Sequence, residues 1–233
     1  MAEEKEIKVK ILDDIKINDL KKILEELFDL KFGAEKYDND VYYDLKDNFY
    51  FNLNHGFRIR NNNEFAYKAL FFILDKKPNP WFVLEKEYKL PVTKENLKSL
   101  FNASNIVFNT DLDIIDINKL KEIFKDLSFI PIMEINKIRF SAKNKNYEIC
   151  IDFIEKLGLF LEIEVKDDNF LDIFRNKLPF NFEEIRHGYT YLYAKDILKI
   201  QVPNFKDNFL KNSDWNFLEG QKQLVLDIIN NPN

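Results

Sequence analysis

The chain has 233 residues, 45% of them hydrophobic, enough for one sizeable core or two small ones. Its formal net charge is −5 and its pI about 5.3, which excludes a broad basic surface for non-specific nucleic-acid binding. No stretch reaches the ~18 consecutive apolar residues of a membrane span, the first six residues hold no apolar leader, and the single cysteine, Cys150, excludes an internal disulfide framework. A cytoplasmic protein is the expectation.

In chain order, Glu4-Lys5-Glu6-Ile7-Lys8-Val9-Lys10-Ile11 alternates as a strand. Glu4, Glu6, Lys8 and Lys10 share one face, and Ile7, Val9 and Ile11 the other. Ile17 to Asp29 has helical spacing, with Ile17, Leu20, Ile23, Leu24 and Leu27 on one stripe. Asp40 to Asp44 reads as a short strand rich in aromatic and β-branched residues, and Phe49 to Leu53 as a second strand or an edge. Phe57-Arg58-Ile59-Arg60 puts both arginines on one face, Asn61-Asn62-Asn63 signals a turn, and Glu64 to Phe72 is the partner strand with Lys68 at its middle.

After Pro78-Asn79-Pro80, Trp81 to Leu90 is a strand with Glu85 and Glu87 on one face. Thr93 suits the N-cap of a helix whose stripe is Leu97, Leu100 and Phe101. A second helix covers Asp116 to Leu127. Ile130 to Ala142 returns to strand, with Lys137 and Arg139 facing away from Ile138 and Phe140. Tyr147 to Phe153 places Glu148, Cys150 and Asp152 together, and Gly158 to Val165 places Glu162 and Glu164 opposite Leu161, Ile163 and Val165. Helices are predicted at about Asn169–Leu178 and Tyr191–Lys199, and a late apolar one around Leu218 to Ile229. The expected organisation is one domain, residues 1–198, with a C-terminal helical extension, residues 199–233, of no assigned role.

Seven acids (Glu4, Glu6, Glu85, Glu87, Asp152, Glu162, Glu164) therefore stand against seven bases (Lys8, Lys10, Arg58, Arg60, Lys68, Lys137, Arg139) on strand faces whose reverse is mostly apolar. A sheet closed on itself would enclose that polar face and leave the apolar one for helices to cover. Enclosed charge is costly unless paired or ion-bound. Oxygen ligands without His or Cys suit Mg²⁺ or Mn²⁺, and the bases would hold a polyanion, Arg through its fork and Lys as a point charge. The two histidines, His55 and His187, are too few for a His-rich zinc site and are read as surface or structural. Cys150 shares the face of Asp152 and has no evident His partner, so it is read as a lining residue, not a nucleophile.

Glu4-x-Glu6-x-Lys8 resembles the E-x-E-x-K signature of the CYTH superfamily, the triphosphate tunnel enzymes. Arg58-x-Arg60, Lys68, Glu85-x-Glu87, Lys137-x-Arg139, Asp152 and Glu162-x-Glu164 follow in the family's order, and the resemblance covers roughly residues 3–195. Each motif is weak alone; seven in order on predicted strands are strong together. The resemblance implies an α+β fold, a closed antiparallel barrel of eight strands with helices packed outside. It implies metal ligands at Glu4, Glu6, Asp152, Glu162 and Glu164, and substrate contacts at Lys8, Arg58, Arg60, Lys68, Lys137 and Arg139, with Glu4, Glu6, Lys8 and Lys68 in the catalytic set; Lys10, just beyond the motif, is a further expected substrate contact. Glu85 and Glu87 are further candidate ligands or structural partners of the arginines. Many relatives carry a Ser-Tyr pair near the domain's end, where this chain has Gly188-Tyr189.

The implied activity is metal-dependent hydrolysis of a triphosphate (tripolyphosphate, a nucleoside triphosphate or thiamine triphosphate). Its alternative is an adenylyl cyclase making cyclic AMP and diphosphate from ATP. A third class, a non-catalytic binder of triphosphates or RNA 5′ ends, has no need of the full acidic set. The implied partner is a triphosphate-bearing small molecule and no membrane, with a homodimer left open.

Overall fold

The computed structural model describes residues 5–53, 55–72, 81–104, 106–166, 169–185 and 188–200. Glu4, His187, the side chain of Glu6 and the expected helix at Leu218–Ile229 lie outside the described residues. The described residues divide into two compact units, one within residues 1–39 and 135–200 and the other within residues 40–134.

Eleven strands and six helices are seen among the described residues. They run β1 (Lys5–Ile11), α1 (Ile17–Phe28), β2 (Lys36–Asp44), α2 (Phe49–Asn52), β3 (His55–Arg60), β4 (Glu64–Phe72), β5 (Trp81–Lys89), β6 (Val92–Thr93), α3 (Lys94–Ala103) and β7 (Ile114–Ile115). After these come α4 (Ile117–Asp126), β8 (Ile130–Lys143), β9 (Tyr147–Ile154), β10 (Gly158–Val165), α5 (Asn169–Lys177), β11 (Phe182–Glu184) and α6 (Tyr189–Asp196). Nine strands form one sheet in the order β11-β1-β10-β9-β8-β2-β3-β4-β5, and β6 pairs with β7. The pairings β1/β10, β10/β9, β9/β8, β2/β3, β3/β4 and β4/β5 are antiparallel. The fold is therefore α+β with a large antiparallel sheet. The expected eight-stranded barrel differs in two ways: the three-residue β11 adds a ninth strand, and among the described residues no hydrogen bonds join β11 to β5.

In the first unit the apolar alternation of β1, β10 and β9 puts Val9, Leu161, Ile163, Ile149 and Ile151 at 0% exposure. α1 lays Leu20, Leu24 and Phe28 on this face, a spacing of four that keeps all three on one side of the helix. α5 adds Phe174, whose ring centre is 4.3 Å from that of Phe28. Each fully buried side chain of this size contributes roughly 1.5–3 kcal/mol over exposure.

In the second unit the odd residues of β3 and β4, Phe57, Ile59, Phe65 and Tyr67, meet Leu97, Leu100 and Phe101 of α3 and Leu120 and Phe124 of α4. Both helices begin as the sequence predicts. Thr93 Oγ1 accepts from Asn96 N–H at 3.3 Å, and Asp116 Oδ1 from Lys119 N–H at 2.9 Å. In the β3–β4 turn Asn61 and Asn62 both take left-handed backbone, φ 51° each, which asparagine tolerates well.

Phe49–Asn52 is a helical turn and not the expected strand. Asp44 decides this. Its Oδ1 accepts the N–H groups of Leu45 at 2.6 Å and Tyr50 at 3.0 Å, and its Oδ2 that of Phe51 at 2.7 Å. One carboxylate satisfies three backbone donors and bends the chain at the end of β2.

Candidate active site

Covering the apolar faces with helices leaves the charged faces of the same strands for the site. In the first unit, cross-strand register sets the pairs. Lys8 of β1 lies opposite Glu162 of β10, and Arg139 of β8 opposite Asp152 of β9. Lys8 Nζ is 2.9 Å from Glu162 Oε1. Arg139 Nε donates to Asp152 Oδ1 at 2.6 Å, and its Nη2 donates both to Asp152 Oδ2 and, diagonally, to Glu162 Oε2. The four side chains form one run of contacts, Lys8–Glu162–Arg139–Asp152.

Asp152 is fully buried, so this carboxylate depends on its partners. Burial alone would raise the Glu162 carboxyl, but Lys8 and Arg139 outweigh it and hold the group at about 2. Burial also disfavours the Arg139 charge, and the Asp152 and Glu162 carboxylates more than restore it. Glu162 is thus ionised, and Arg139 charged, at neutral pH.

Further residues extend this face. Lys137, 7% exposed, has its Nζ 3.6 Å from Oδ2 of Asp38, 1% exposed, on β2. Lys10 Nζ stands 5.9 Å from the centre of the Phe160 ring. Glu164 is on the same face and exposed. Cys150 is buried, its thiol pushed up to about 11 by burial, with Ser141 Oγ at 3.2 Å from its Sγ. At neutral pH it is a thiol, in line with the lining role read from the sequence. Tyr189 of α6 donates from its hydroxyl to Asp152 Oδ2 at 2.9 Å, while Lys8 Nζ lies 4.6 Å from its ring centre. Burial and the neighbouring Glu162 and Asp152 charges raise its hydroxyl well above the ordinary phenol, so it stays a donor.

The second unit holds its own charged face. Arg60 grips Asp40 with two bonds, Nε to Oδ1 at 2.7 Å and Nη2 to Oδ2 at 2.9 Å. Arg58 Nη2 donates to Glu87 Oε2 at 2.6 Å and lies 3.7 Å from Glu85 Oε1. Its buried Nε makes no hydrogen bond and is 3.8 Å from Asp40 Oδ1. Lys68 Nζ meets Glu85 Oε2 at 3.2 Å. Glu85 and Glu87 thus pair with the cations of this face. His55 is buried, held below its ordinary range at about 3 by burial, with Nδ1 2.7 Å from Tyr67 Oη; it is structural.

Two site residues escaped the sequence reading, and a third, Tyr189, was met there only as the neighbour of Gly188. Asp38 and Asp40 stand on β2, which begins at Lys36, four residues before the expected strand. Alternation of Asp38 and Asp40 with Tyr37 and Asn39 was the available signal. Tyr189 is helical and falls outside any strand pattern.

The chain belongs to the CYTH family: the CYTH domain model matches residues 2–187. Members of this family are adenylate cyclases or triphosphatases, bind triphosphate substrates and generally depend on divalent metal ions. A Methanocaldococcus jannaschii protein named "Putative adenylate cyclase MJ0240" is 32% identical over 152 residues, covering 64% of this chain and 73% of that protein. Two solved structures share the fold. The PH1819 protein of Pyrococcus horikoshii OT3 has a TM-score of 0.51 at 19% identity, covering 82% of this chain and 99% of that one. The Hippeastrum protein HpAC1, described as a putative adenylyl cyclase with a dominant triphosphatase activity, has a TM-score of 0.51 at 14% identity, covering 83% and 96%. Among the described residues no helix is long and apolar enough to cross a membrane.

Proposed function

We propose that this chain is a divalent-metal-dependent triphosphatase acting on tripolyphosphate, a nucleoside triphosphate or thiamine triphosphate. The observation that carries the reading is the Lys8–Glu162–Arg139–Asp152 run, phosphate-type cations interleaved with carboxylates on one sheet face. In this reading the domain spans residues 1–198, lies in the cytoplasm and closes as the eight-stranded barrel that the family resemblance implies. Glu4, Glu6, Asp152, Glu162 and Glu164 are its metal ligands. Lys8, Lys10, Arg58, Arg60, Lys68, Lys137 and Arg139 hold substrate, and Glu4, Glu6, Lys8 and Lys68 form the catalytic set.

Among the described residues no group of three or more carboxylates, histidines or cysteines is placed to hold a metal ion, and the oxygen donors present are of the kind that suits Mg²⁺ or Mn²⁺. Asp152 and Glu162 converge on the same Arg139 nitrogen, so two hard oxygen donors are already side by side. The bound ion supplies charge neutralisation and polarises phosphoryl oxygens.

The chain's own contribution is an exchange of partners. Lys8 and Arg139 turn from Glu162 and Asp152 to non-bridging phosphate oxygens, leaving the carboxylates for the cation. Held there, the two bases offset charge on the oxygens as it develops. Hydrolysis joins a water oxygen to the terminal phosphorus and breaks its bond to the bridging oxygen. That oxygen leaves with the remaining phosphates, and the water proton passes to solvent.

A second reading is favoured by the name of the M. jannaschii relative: an adenylyl cyclase, in which the ATP 3′-hydroxyl attacks the α-phosphorus and diphosphate leaves. Incubating the protein separately with ATP, tripolyphosphate and thiamine triphosphate, with Mg²⁺ or Mn²⁺, separates the two. Orthophosphate release is expected; cyclic AMP with diphosphate would replace the first reading by the second. Binding with no product at all would leave only a triphosphate-binding role.

A further inference from the structure

Tyr189 opens α6 with two functional ends. Its hydroxyl donates to Asp152 Oδ2 at 2.9 Å, on a carboxylate that Arg139 already holds through both oxygens. Its ring faces Lys8 Nζ at 4.6 Å, and that ammonium is 2.9 Å from Glu162 on its other contact. The ring is itself fixed by Phe160, fully buried on β10, in an edge-on contact at 5.2 Å.

A carboxylate gripped by one planar guanidinium can still pivot with it; a donor from a separate helix removes that freedom. A lysine with a flexible stem is likewise narrowed to one place when an aromatic face stands beside its carboxylate partner. We infer that Tyr189 is a positioning residue that sets Asp152 through its hydroxyl and Lys8 through its ring, coupling a carboxylate proposed for the metal to a cation proposed for phosphate. The inference rests on the triphosphatase reading for the roles of those two residues.

The test is Tyr189→Phe against Tyr189→Leu, with Mn²⁺ affinity measured on substrate-free, full-length protein by the electron paramagnetic resonance of free Mn²⁺. Phe keeps the ring and drops the hydroxyl, so Mn²⁺ affinity falls about tenfold while KM for tripolyphosphate at saturating Mn²⁺ stays within about twofold. Leu drops both, so the Mn²⁺ loss is accompanied by a KM rise of about tenfold. A merely structural tyrosine would lower the melting temperature of both variants and leave the Mn²⁺ affinity of the folded protein untouched. Folded Tyr189→Phe with wild-type Mn²⁺ affinity overturns the inference. The titration needs no turnover, so a wild type that binds Mn²⁺ but releases no orthophosphate removes the triphosphatase reading alone. Absence of any Mn²⁺ binding by wild type overturns both.

Discussion

A buried histidine next to a tyrosine hydroxyl makes a pH-dependent element on the face of β3 turned away from Arg58 and Arg60. His55 is 5% exposed and, held at about 3 against an ordinary 6.5, stays neutral in the folded chain. Unfolding returns it to water, where it takes up a proton below about 6.5. The unfolded state therefore binds more protons between about 6.5 and about 3, and stability rises with pH across that window. As pH falls below 6.5 the contribution is lost at up to about 1.4 kcal/mol per unit. His55→Gln keeps a polar partner for Tyr67 and does not titrate. Urea midpoints at pH 7 and pH 5 should converge in this variant and stay apart in wild type. An equal drop in both would assign the acid sensitivity elsewhere.

At the scale of elements, Asp44 ends β2 and starts α2. Burial pushes its carboxyl up, against the pull of the Phe51, Tyr50 and Leu45 N–H groups. Asp44→Ala strands three buried or half-buried donors and should cost about 3 kcal/mol or more in a urea denaturation; Asp44→Asn, which keeps an acceptor, should cost clearly less. A loss below 1 kcal/mol for the alanine variant would mean that water replaces the carboxylate there. The same corner shows what a sequence can and cannot display. Strands with strict two-residue alternation, β1, β3, β8, β9 and β10, were legible to within a residue or two, together with the side of each that faces helices. The aromatic run Phe49-Tyr50-Phe51 looked like a strand because local propensity cannot see the Asp44 carboxylate that curls it. Most cations and acids of the candidate site followed from alternation. Their pairing did not, because Lys8 opposite Glu162 and Arg139 opposite Asp152 are facts of register between strands far apart in the chain. Asp38 went unread because β2 starts among polar residues, which carry little strand propensity, and the grip of Arg60 on Asp40 is again a fact of register.

For the molecule as a whole, a net charge of −5 repels a triphosphate at long range, so attraction has to come from cations within about a Debye length, ~8–10 Å, of the bound anion. On the first unit's face, Lys8 and Arg139 are engaged by Glu162 and Asp152 when no substrate is present. A phosphate arriving without metal must compete with those carboxylates; one arriving with a divalent cation need not, because the carboxylates have the cation to bind. Metal and substrate should therefore strengthen each other's binding reciprocally. Glu162→Gln tests this directly. Loss of one carboxylate charge weakens one contact of Lys8 and one of Arg139, so metal-free tripolyphosphate should bind about tenfold tighter than to wild type, ~1.4 kcal/mol. The same substitution weakens the metal site, so the gain in tripolyphosphate affinity on adding Mg²⁺ should shrink and orthophosphate release should fall by about a hundredfold. Titration calorimetry with and without Mg²⁺ reads all of the binding terms. A Glu162→Gln protein that binds metal-free tripolyphosphate no better than wild type would show that Glu162 does not compete with phosphate for these cations, and the exchange of partners would have to be abandoned.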